Sequence, residues 1–176
     1  MLSSTIKCNF LRAFLLLWFL SIPVSANSDS LDQLFLQLKN AADVTEARKL
    51  ENQIWKNWFE SGDAEVDALM QAAMKKRRGY DFNGALEILN QIIEMKPDYS
   101  EVWNQRATVY FHQQEYEKSL WDIAATLELE PRHFGSMAGR AVIRLYQSKP
   151  ALARQNIIEA IKFHPYLKEK DMFPDL

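Results

Sequence analysis

The stretch that decides the fold lies between Glu101 and Pro131 and reads EVWNQRATVYFHQQEYEKSLWDIAATLELEP. It contains two apolar helical patterns, separated by a polar break at residues 113–115 and closed by a proline. In the first pattern the apolar residues recur at spacings of three and four, which predicts one apolar stripe along a helix. The second pattern begins at Tyr116 and ends before Pro131, because a residue that precedes proline is disfavoured in the helical conformation. The stretch therefore predicts a helix, a tight turn and a second helix.

The same layout recurs on both sides of this stretch at a fixed interval of 34 residues. The positions that keep the interval are prolines at the end of the second helix and small residues within each helix. They are Pro97, Pro131 and Pro165; Ala73, Ala107 and Ala141; and Ala85, Ser119 and Ala153. A fixed period with small residues in register is typical of stacked repeats. Since neither helix of one unit can cover its own apolar stripe, we expect neighbouring units to stack.

This pattern resembles the tetratricopeptide repeat, a 34-residue family whose unit is a helix–turn–helix. The middle copy matches the order of the family's positions at Trp103, Ala107, Tyr110, Ser119, Ile123, Thr126 and Pro131. Two further copies lie in phase with it, with Lys76 and Arg144 in place of the aromatic residue. The resemblance implies an all-α fold, a right-handed helical-hairpin solenoid of three 34-residue units with an N-terminal helical cap. The units are 66–99, 100–133 and 134–167, which together span residues 64–167 with their leading turn.

Residues 1–26 have the organisation of an export signal. Lys7 and Arg12 form a basic start, residues 13–20 are apolar, and the small residues at 24–26 suit a signal peptidase. A retained membrane anchor is the alternative, but the apolar stretch is shorter than the roughly 20 residues of a spanning helix. We therefore expect cleavage near Ala26.

The composition of the remaining chain points to an exported helical protein. The only cysteine of the full sequence, Cys8, lies in the predicted signal peptide, so the mature chain is expected to lack disulfides and cysteine metal sites. The sequence has no Asn-x-Ser/Thr acceptor and no KDEL-type ending, which favours a Gram-negative periplasm over a eukaryotic secretory route. Without Lys7 and Arg12, 19 basic residues face 23 acidic ones, a balance that argues against nucleic-acid binding.

Residues 27–63 predict a helix pair outside the 34-residue register. Helices are expected at 31–41 and 44–61, with Asp43 and Glu46 as a capping box and Gly62 after the second helix. The first interpretation is a cap that covers the exposed face of the first repeat. The alternatives are a degenerate fourth repeat, or a pair that dimerises through Trp55, Trp58 and Phe59.

Residues 168–176 are expected to form a short tail after the last unit. The tail either closes the stack with a brief helix or leaves its end open for a partner.

No arrangement of residues in the sequence predicts catalysis. The three histidines, His112, His133 and His164, stand at unrelated places in the units. His164 is expected at the end of a helix, where a partial positive charge suits the helix dipole. Five glycines leave little material for a phosphate-binding loop, and no strained nucleophile turn is present. We expect neither an enzyme nor a metal or cofactor protein.

The resemblance implies a concave groove, because the first helix of each tetratricopeptide unit faces the concave surface. Peptide-clamp members grip a C-terminal carboxylate with lysine, asparagine and arginine; here only Asn104 matches such a position. The basic run at residues 75–78 is interpreted as a solvated helix end, or as an edge of the groove that meets an acidic partner. The groove residues predicted to contact a partner, several of them forming an apolar floor, are Met70, Met74, Arg77, Arg78, Asn104, Phe111, His112, Val142, Leu145 and Tyr146.

The expected function is non-catalytic protein–protein interaction. The chain would act as a periplasmic adaptor or envelope-assembly factor that binds an amphipathic helix or an extended apolar segment in the groove. The protein would contact the membrane only through its transient signal peptide. The alternatives are a self-associating structural protein and a carrier or sensor of a small apolar ligand.

Overall fold

The computed structural model describes residues 26–176, with side chains described from residue 31 onward. This range forms eight α-helices and one short 3-10 helix, and contains no strand. The helices are α1 (Ala26–Lys39), α2 (Val44–Phe59), α3 (Ala64–Arg78), α4 (Phe82–Met95), α5 (Ser100–His112), α6 (Tyr116–Leu129), α7 (Phe134–Tyr146) and α8 (Pro150–Ala160), followed by the 3-10 helix Lys168–Met172. None of the helices in this range is both long and apolar enough to cross a bilayer. The predicted signal peptide falls outside the described residues.

Helices α3 to α8 form a stack of helical hairpins. Helix α3 packs on α4, α5 on α6 and α7 on α8, and the hairpins join through the contacts of α4 with α5 and α6 with α7. The small residues of the register lie at the helix crossings: Ala73, Ala107 and Ala141 are at most 2% exposed. Small side chains let the two backbones of a hairpin approach closely. The predicted all-helical solenoid is confirmed.

The turn inside each hairpin repeats the same strained backbone conformation. Tyr80, Gln114 and Ser148 have φ values of 60°, 61° and 57°, and they too are 34 residues apart. The N–H groups of Gln114 and the next residue donate to the carbonyls of Phe111 and Tyr110, both at 2.9 Å. This pair of bonds is the Schellman arrangement that ends a helix through a left-handed residue. Glycine, which adopts this conformation without strain, is absent from all three positions.

The pair α1–α2, here called the N-terminal hairpin, packs mainly against the third unit. Asp43 caps α2 as predicted, accepting from the N–H groups of Thr45 and Glu46 at 2.7 and 2.9 Å. The prediction of a cap on the first repeat is wrong, since among the described side chains of this hairpin only Phe59 joins the apolar cluster of that repeat. The rest of the hairpin shares one cluster with α7 and α8: Leu31, Phe35, Leu38, Ala47, Leu50, Ile54 and Trp58 with Phe134, Met137, Ala138, Ala141, Ala153, Ile157, Ala160 and Leu167.

Helix α2 lies across the turns that join successive units. Three contacts mark its path, each to a residue near the end of a unit. They are the Tyr99 hydroxyl to the Phe59 carbonyl at 3.0 Å, the Trp58 ring stacked on His133 with centroids 4.0 Å apart, and His164 Nε2 to the Glu51 carboxylate at 3.3 Å. A fourth repeat would instead stack in register on α3. The N-terminal hairpin is therefore a strap along the stack, and the interpretation as a fourth repeat is wrong.

The aromatic face of α2 is used inside the chain. Trp58 is 5% exposed, and Trp55 packs edge-on against Phe134 with ring centroids 5.7 Å apart. Trp58, one of the three residues predicted for dimerisation, is therefore not exposed to a second copy of the chain.

The tail lies on the same cluster as the strap. Phe173 and Leu176 contact the cluster, and Arg154 binds Asp175 at 2.9 Å. The tail therefore packs against the stack instead of leaving this part of it open.

A candidate binding cavity between the stack and the strap

A cavity of about 430 Å³ opens where α5 and α7 face α2. Residues from all three units and from the strap line it. They are Glu51 and Trp55 of α2; Arg77 of α3; Asn104, Gln105, Ala107, Thr108, Phe111 and His112 of α5; Ser119 and Ile123 of α6; Phe134, Gly135, Ser136, Ala138, Gly139, Val142 and Ile143 of α7; and Leu167 and Glu169 near the C-terminus. The first helices of the units thus form its floor, and α2 forms one wall.

The cavity exists because the first two turns of α7 carry small residues. Gly135, Ser136, Ala138 and Gly139 leave space beside α5 that larger side chains would fill. Gly135 has a second role, since a Cβ atom there would lie 2.6 Å from the Trp55 ring. The absence of a side chain at this position lets α2 approach α7 closely enough to close the wall.

A buried polar network supports the floor of the cavity. Glu101 is fully buried and contacts His133 Nε2 at 3.0 Å and Asn104 Nδ2 at 3.2 Å, and it also accepts from Gln105. His133 Nδ1 accepts the backbone N–H of Ser136 at 3.1 Å, which caps α7. Because Nδ1 acts as an acceptor, the ring is neutral and carries its proton on Nε2, which donates to Glu101. The buried carboxylate is therefore held by three donors.

The same network fixes the polar groups that face the cavity. Asn104 Oδ1 accepts from the Ser136 hydroxyl at 2.8 Å, and Gln105 Oε1 accepts from Arg77 at 2.5 Å. Burial lowers the pKa of the Arg77 guanidinium. Arg77 makes no ion pair with any residue in the described part of the chain.

Charges of opposite sign lie at the two ends of the cavity. Arg77 comes from the first unit, whereas Glu169 follows the third unit and Glu51 contacts His164, which lies four residues after the end of α8. The hydrogen bond from His164 lowers the pKa of Glu51. The apolar walls, including Phe111 and Val142, lie between these charges.

The structure brings five of the ten predicted groove residues together around the cavity: Arg77, Asn104, Phe111, His112 and Val142. The other five lie elsewhere. Met70 is fully buried in the core of the first unit, so its prediction as a groove residue is wrong. Met74 packs partly buried against that core outside the cavity lining, and its contact with a partner stays a prediction. Leu145 packs against the apolar cluster that the N-terminal hairpin shares with α7 and α8, and it does not line the cavity. Arg78 is exposed outside the cavity lining, and Tyr146, 65% exposed, stacks on Tyr116 at the outer edge.

Sequence reasoning missed the wall formed by Glu51 and Trp55. Their helix has no register with the repeats, so no spacing indicates which unit it contacts. The two glycines of α7 carried a usable signal, because isolated glycines inside a helical pattern often mark close packing or a function. Gly135 and Gly139 are two of only five glycines in the chain.

Comparisons with known proteins give similar sequences, although no family model matches the chain. A TPR repeat-containing protein of Rhizobium etli is 44% identical over 119 residues, which cover 68% of this chain and 58% of that protein. A DnaJ protein P58IPK homolog A of Oryza sativa subsp. japonica is 30% identical over 93 residues, 53% of this chain and 19% of that protein. The chain thus spans little more than half the length of the first relative.

Solved structures with the same fold have much lower sequence identity. The first TPR of Spaghetti (RPAP3), bound to the HSP90 peptide SRMEEVD, superposes with a TM-score of 0.59 at 15% identity, covering 62% of this chain and 88% of that one. MamA gives a TM-score of 0.53 at 12% identity, covering 86% of this chain and 84% of that one. Together with the 34-residue register and the Rhizobium relative, these matches identify the chain as a member of the tetratricopeptide repeat superfamily.

Proposed function

We propose that this chain is a protein-interaction module that binds a short segment of a partner protein in the cavity. The observation that carries the proposal is the open cavity itself, whose apolar walls stand over a floor of fixed hydrogen-bonding groups. Such a combination buries apolar side chains of a ligand while polar groups fix its orientation. The Spaghetti domain, which has the same fold, is bound to an HSP90 peptide, and this supports the proposal.

The size of the cavity favours a short segment over a long helix. One helical turn with its side chains, roughly 10 Å across and 5.4 Å long, fills about 420 Å³. The cavity of about 430 Å³ therefore has room for about four residues. Because the strap occupies one side of the first-helix surface, a longer amphipathic helix would have to displace α2.

Export to a bacterial periplasm is the second part of the proposal. It rests on the basic start, the apolar stretch and the small residues at positions 24–26. The role would then be that of an adaptor or assembly factor of the cell envelope. N-terminal sequencing of the protein from a periplasmic fraction tests this part. A mature chain that starts near residue 27 supports export, whereas an intact Met1 in the cytoplasm contradicts it.

Photo-cross-linking in cells tests the interaction. A benzophenone amino acid at Thr108, which is half-buried at the cavity, should capture one discrete partner. Val142→Arg should abolish capture by filling the cavity with a charged side chain. Leu129→Arg is the matched control, because Leu129 is exposed on α6 outside the cavity and should leave capture unchanged. Phe111 is a poor choice for this test, since its ring packs on Tyr116 and Tyr146.

Capture that survives Val142→Arg in a folded variant would contradict the cavity as the binding site. The second candidate function is binding of a small molecule, which the volume also favours, since ligand pockets span roughly 300–1,000 Å³. In that case no protein would be captured, and a small-molecule extract would raise the midpoint of thermal unfolding of the wild type but not of Val142→Arg.

A further inference from the structure

We infer that the segment bound in the cavity carries opposite charges at its two ends, an anionic group at Arg77 and a cationic group at Glu169. The inference rests on the proposed function and specifies the chemistry of the partner. It follows from which charges line the cavity and which of them have a partner within the chain.

The end formed by the first unit offers an unpaired cation. The Arg77 side chain is half-buried, and its recorded hydrogen bond is the one to Gln105. The nearest buried acid, Glu101, is occupied by His133, Asn104 and Gln105. A guanidinium has five N–H donors, so Arg77 retains donors for a ligand. The charge of Glu101 acts on Arg77 but forms no ion pair with it, so an anionic group of the partner would give this partly buried cation a direct partner.

The opposite end offers a free carboxylate. Glu169 lies in the 3-10 helix, lines the cavity and makes no ion pair within the described residues. Glu51, the other acid in the lining, is already engaged by His164 and by Trp55 Nε1 at 3.3 Å. Glu169 is therefore the group at this end that is open to a cation of the partner.

The charges thus define a direction for the bound segment. Its acidic residue lies toward the first unit, its basic residue toward the tail, and small apolar residues lie between them against Phe111 and Val142. A site that grips only a terminal carboxylate would need cations alone. The acid at the far end favours an internal segment of the partner, read in one orientation.

Selection from a phage-displayed library of random linear peptides tests the inference on the mature chain. Peptides enriched by the wild type should carry an Asp or Glu and a Lys or Arg in one constant order, separated by small apolar residues. Arg77→Glu and Glu169→Lys should each weaken a selected peptide by at least about tenfold, the scale of a lost charge-assisted hydrogen bond. The double variant should select peptides with the reversed order of charges.

Two neighbouring charges serve as matched controls. Arg78→Glu changes the net charge by the same amount as Arg77→Glu, and Asp171→Lys by the same amount as Glu169→Lys; both positions lie outside the cavity lining, and both variants should change affinity less than threefold. Circular dichroism establishes that each variant is folded. Enriched peptides with no constant charge order, or an equal loss in the control variants, would overturn the inference while leaving the binding module intact. A failure of every variant and of the wild type to enrich any peptide would overturn the proposed function as well.

Discussion

The repeated stack and the strap that crosses it are built on opposite principles. In the stack, small residues at a fixed interval let neighbouring helices approach, and each helix contacts the next one along the chain. The strap is held by large aromatic rings and by contacts between distant residues, such as Arg132 with Asp32, 100 positions earlier. The stack repeats the same contacts between helices that are neighbours in the sequence, whereas the strap is held by contacts between distant parts of the chain. The cavity lies where the two meet, so it depends on both.

The largest loss of stability is expected from a substitution of Trp58 in the strap. Its ring is buried between Phe35, Phe134 and His133, so Trp58→Ala should lower the free energy of unfolding by about 3–5 kcal/mol. Trp121→Ala is the matched control in the stack, where the ring is 62% exposed, and should cost about 1 kcal/mol or less. Denaturant unfolding measures both variants. Equal losses would show that Trp58 is not buried in the way described.

The two glycines of α7 face different neighbours: Gly135 lies against Trp55 of the strap, and Gly139 lies against Ile123 of the stack. Gly135→Ala should destabilise the protein by about 1–3 kcal/mol, because the new methyl group would meet the Trp55 ring at 2.6 Å. At Gly139 a Cβ atom would meet only Ile123, at an ordinary 3.7 Å. Gly139→Ala should therefore stabilise the helix, by up to about 1 kcal/mol. Thermal unfolding of the pair should show shifts of opposite sign; two stabilising changes would place α2 farther from α7.

The turns of the stack should gain stability from a glycine. Gln114 holds a φ of 61°, which glycine adopts without strain, so Gln114→Gly should raise the free energy of unfolding by about 0.5–1 kcal/mol. The neighbouring Gln113 has a φ of −82°, and Gln113→Gly should lower stability. Denaturant unfolding distinguishes the two. A loss of stability in both variants would mean that the turn does not use the left-handed conformation.

The smallest effect should come from the contact between His164 and Glu51. His164 holds the pKa of Glu51 below its ordinary value of 4.5. Since the folded pKa is the lower one, the carboxylate stabilises the fold above about pH 4.5 and loses that contribution as the pH falls through the folded pKa. The stability difference between the wild type and Glu51→Gln should therefore shrink on acidification. In a His164→Asn background this pH dependence should become smaller, because only Trp55 and Arg48 then still lower the pKa of Glu51; an unchanged pH dependence would show that His164 is not its main cause.

The sequence predicts the stack better than the strap. The stack was predictable because its contacts are local and periodic, so that Ala73, Ala107 and Ala141 report the helix crossings directly. The position of the strap was not, because nothing in the spacing of Trp55 and Trp58 tells which unit they contact. The prediction of Met70 as a groove residue fails for a related reason. The repeat register assigns Met70 to the concave surface, and only the packing of the first unit shows that its side chain is fully buried.

The candidate site was predictable only in part. Asn104, Phe111 and Val142 follow from the positions of the first helices in the repeat. The wall formed by Glu51 and Trp55 depends on a contact between distant parts of the chain. The burial of His133, the distant partner of Glu101, likewise depends on α2, whose Trp58 ring stacks on it.

The most direct test of this account is the contact between Trp58 and His133 in solution. With ring centroids 4.0 Å apart, the indole protons of Trp58 should give strong nuclear Overhauser effects to the His133 ring. Such cross-peaks would establish that α2 lies across the inter-unit turns and forms a wall of the cavity. Cross-peaks from Trp58 to Val66 or Met70 of the first unit instead, with none to His133, would contradict the strap and the cavity built on it.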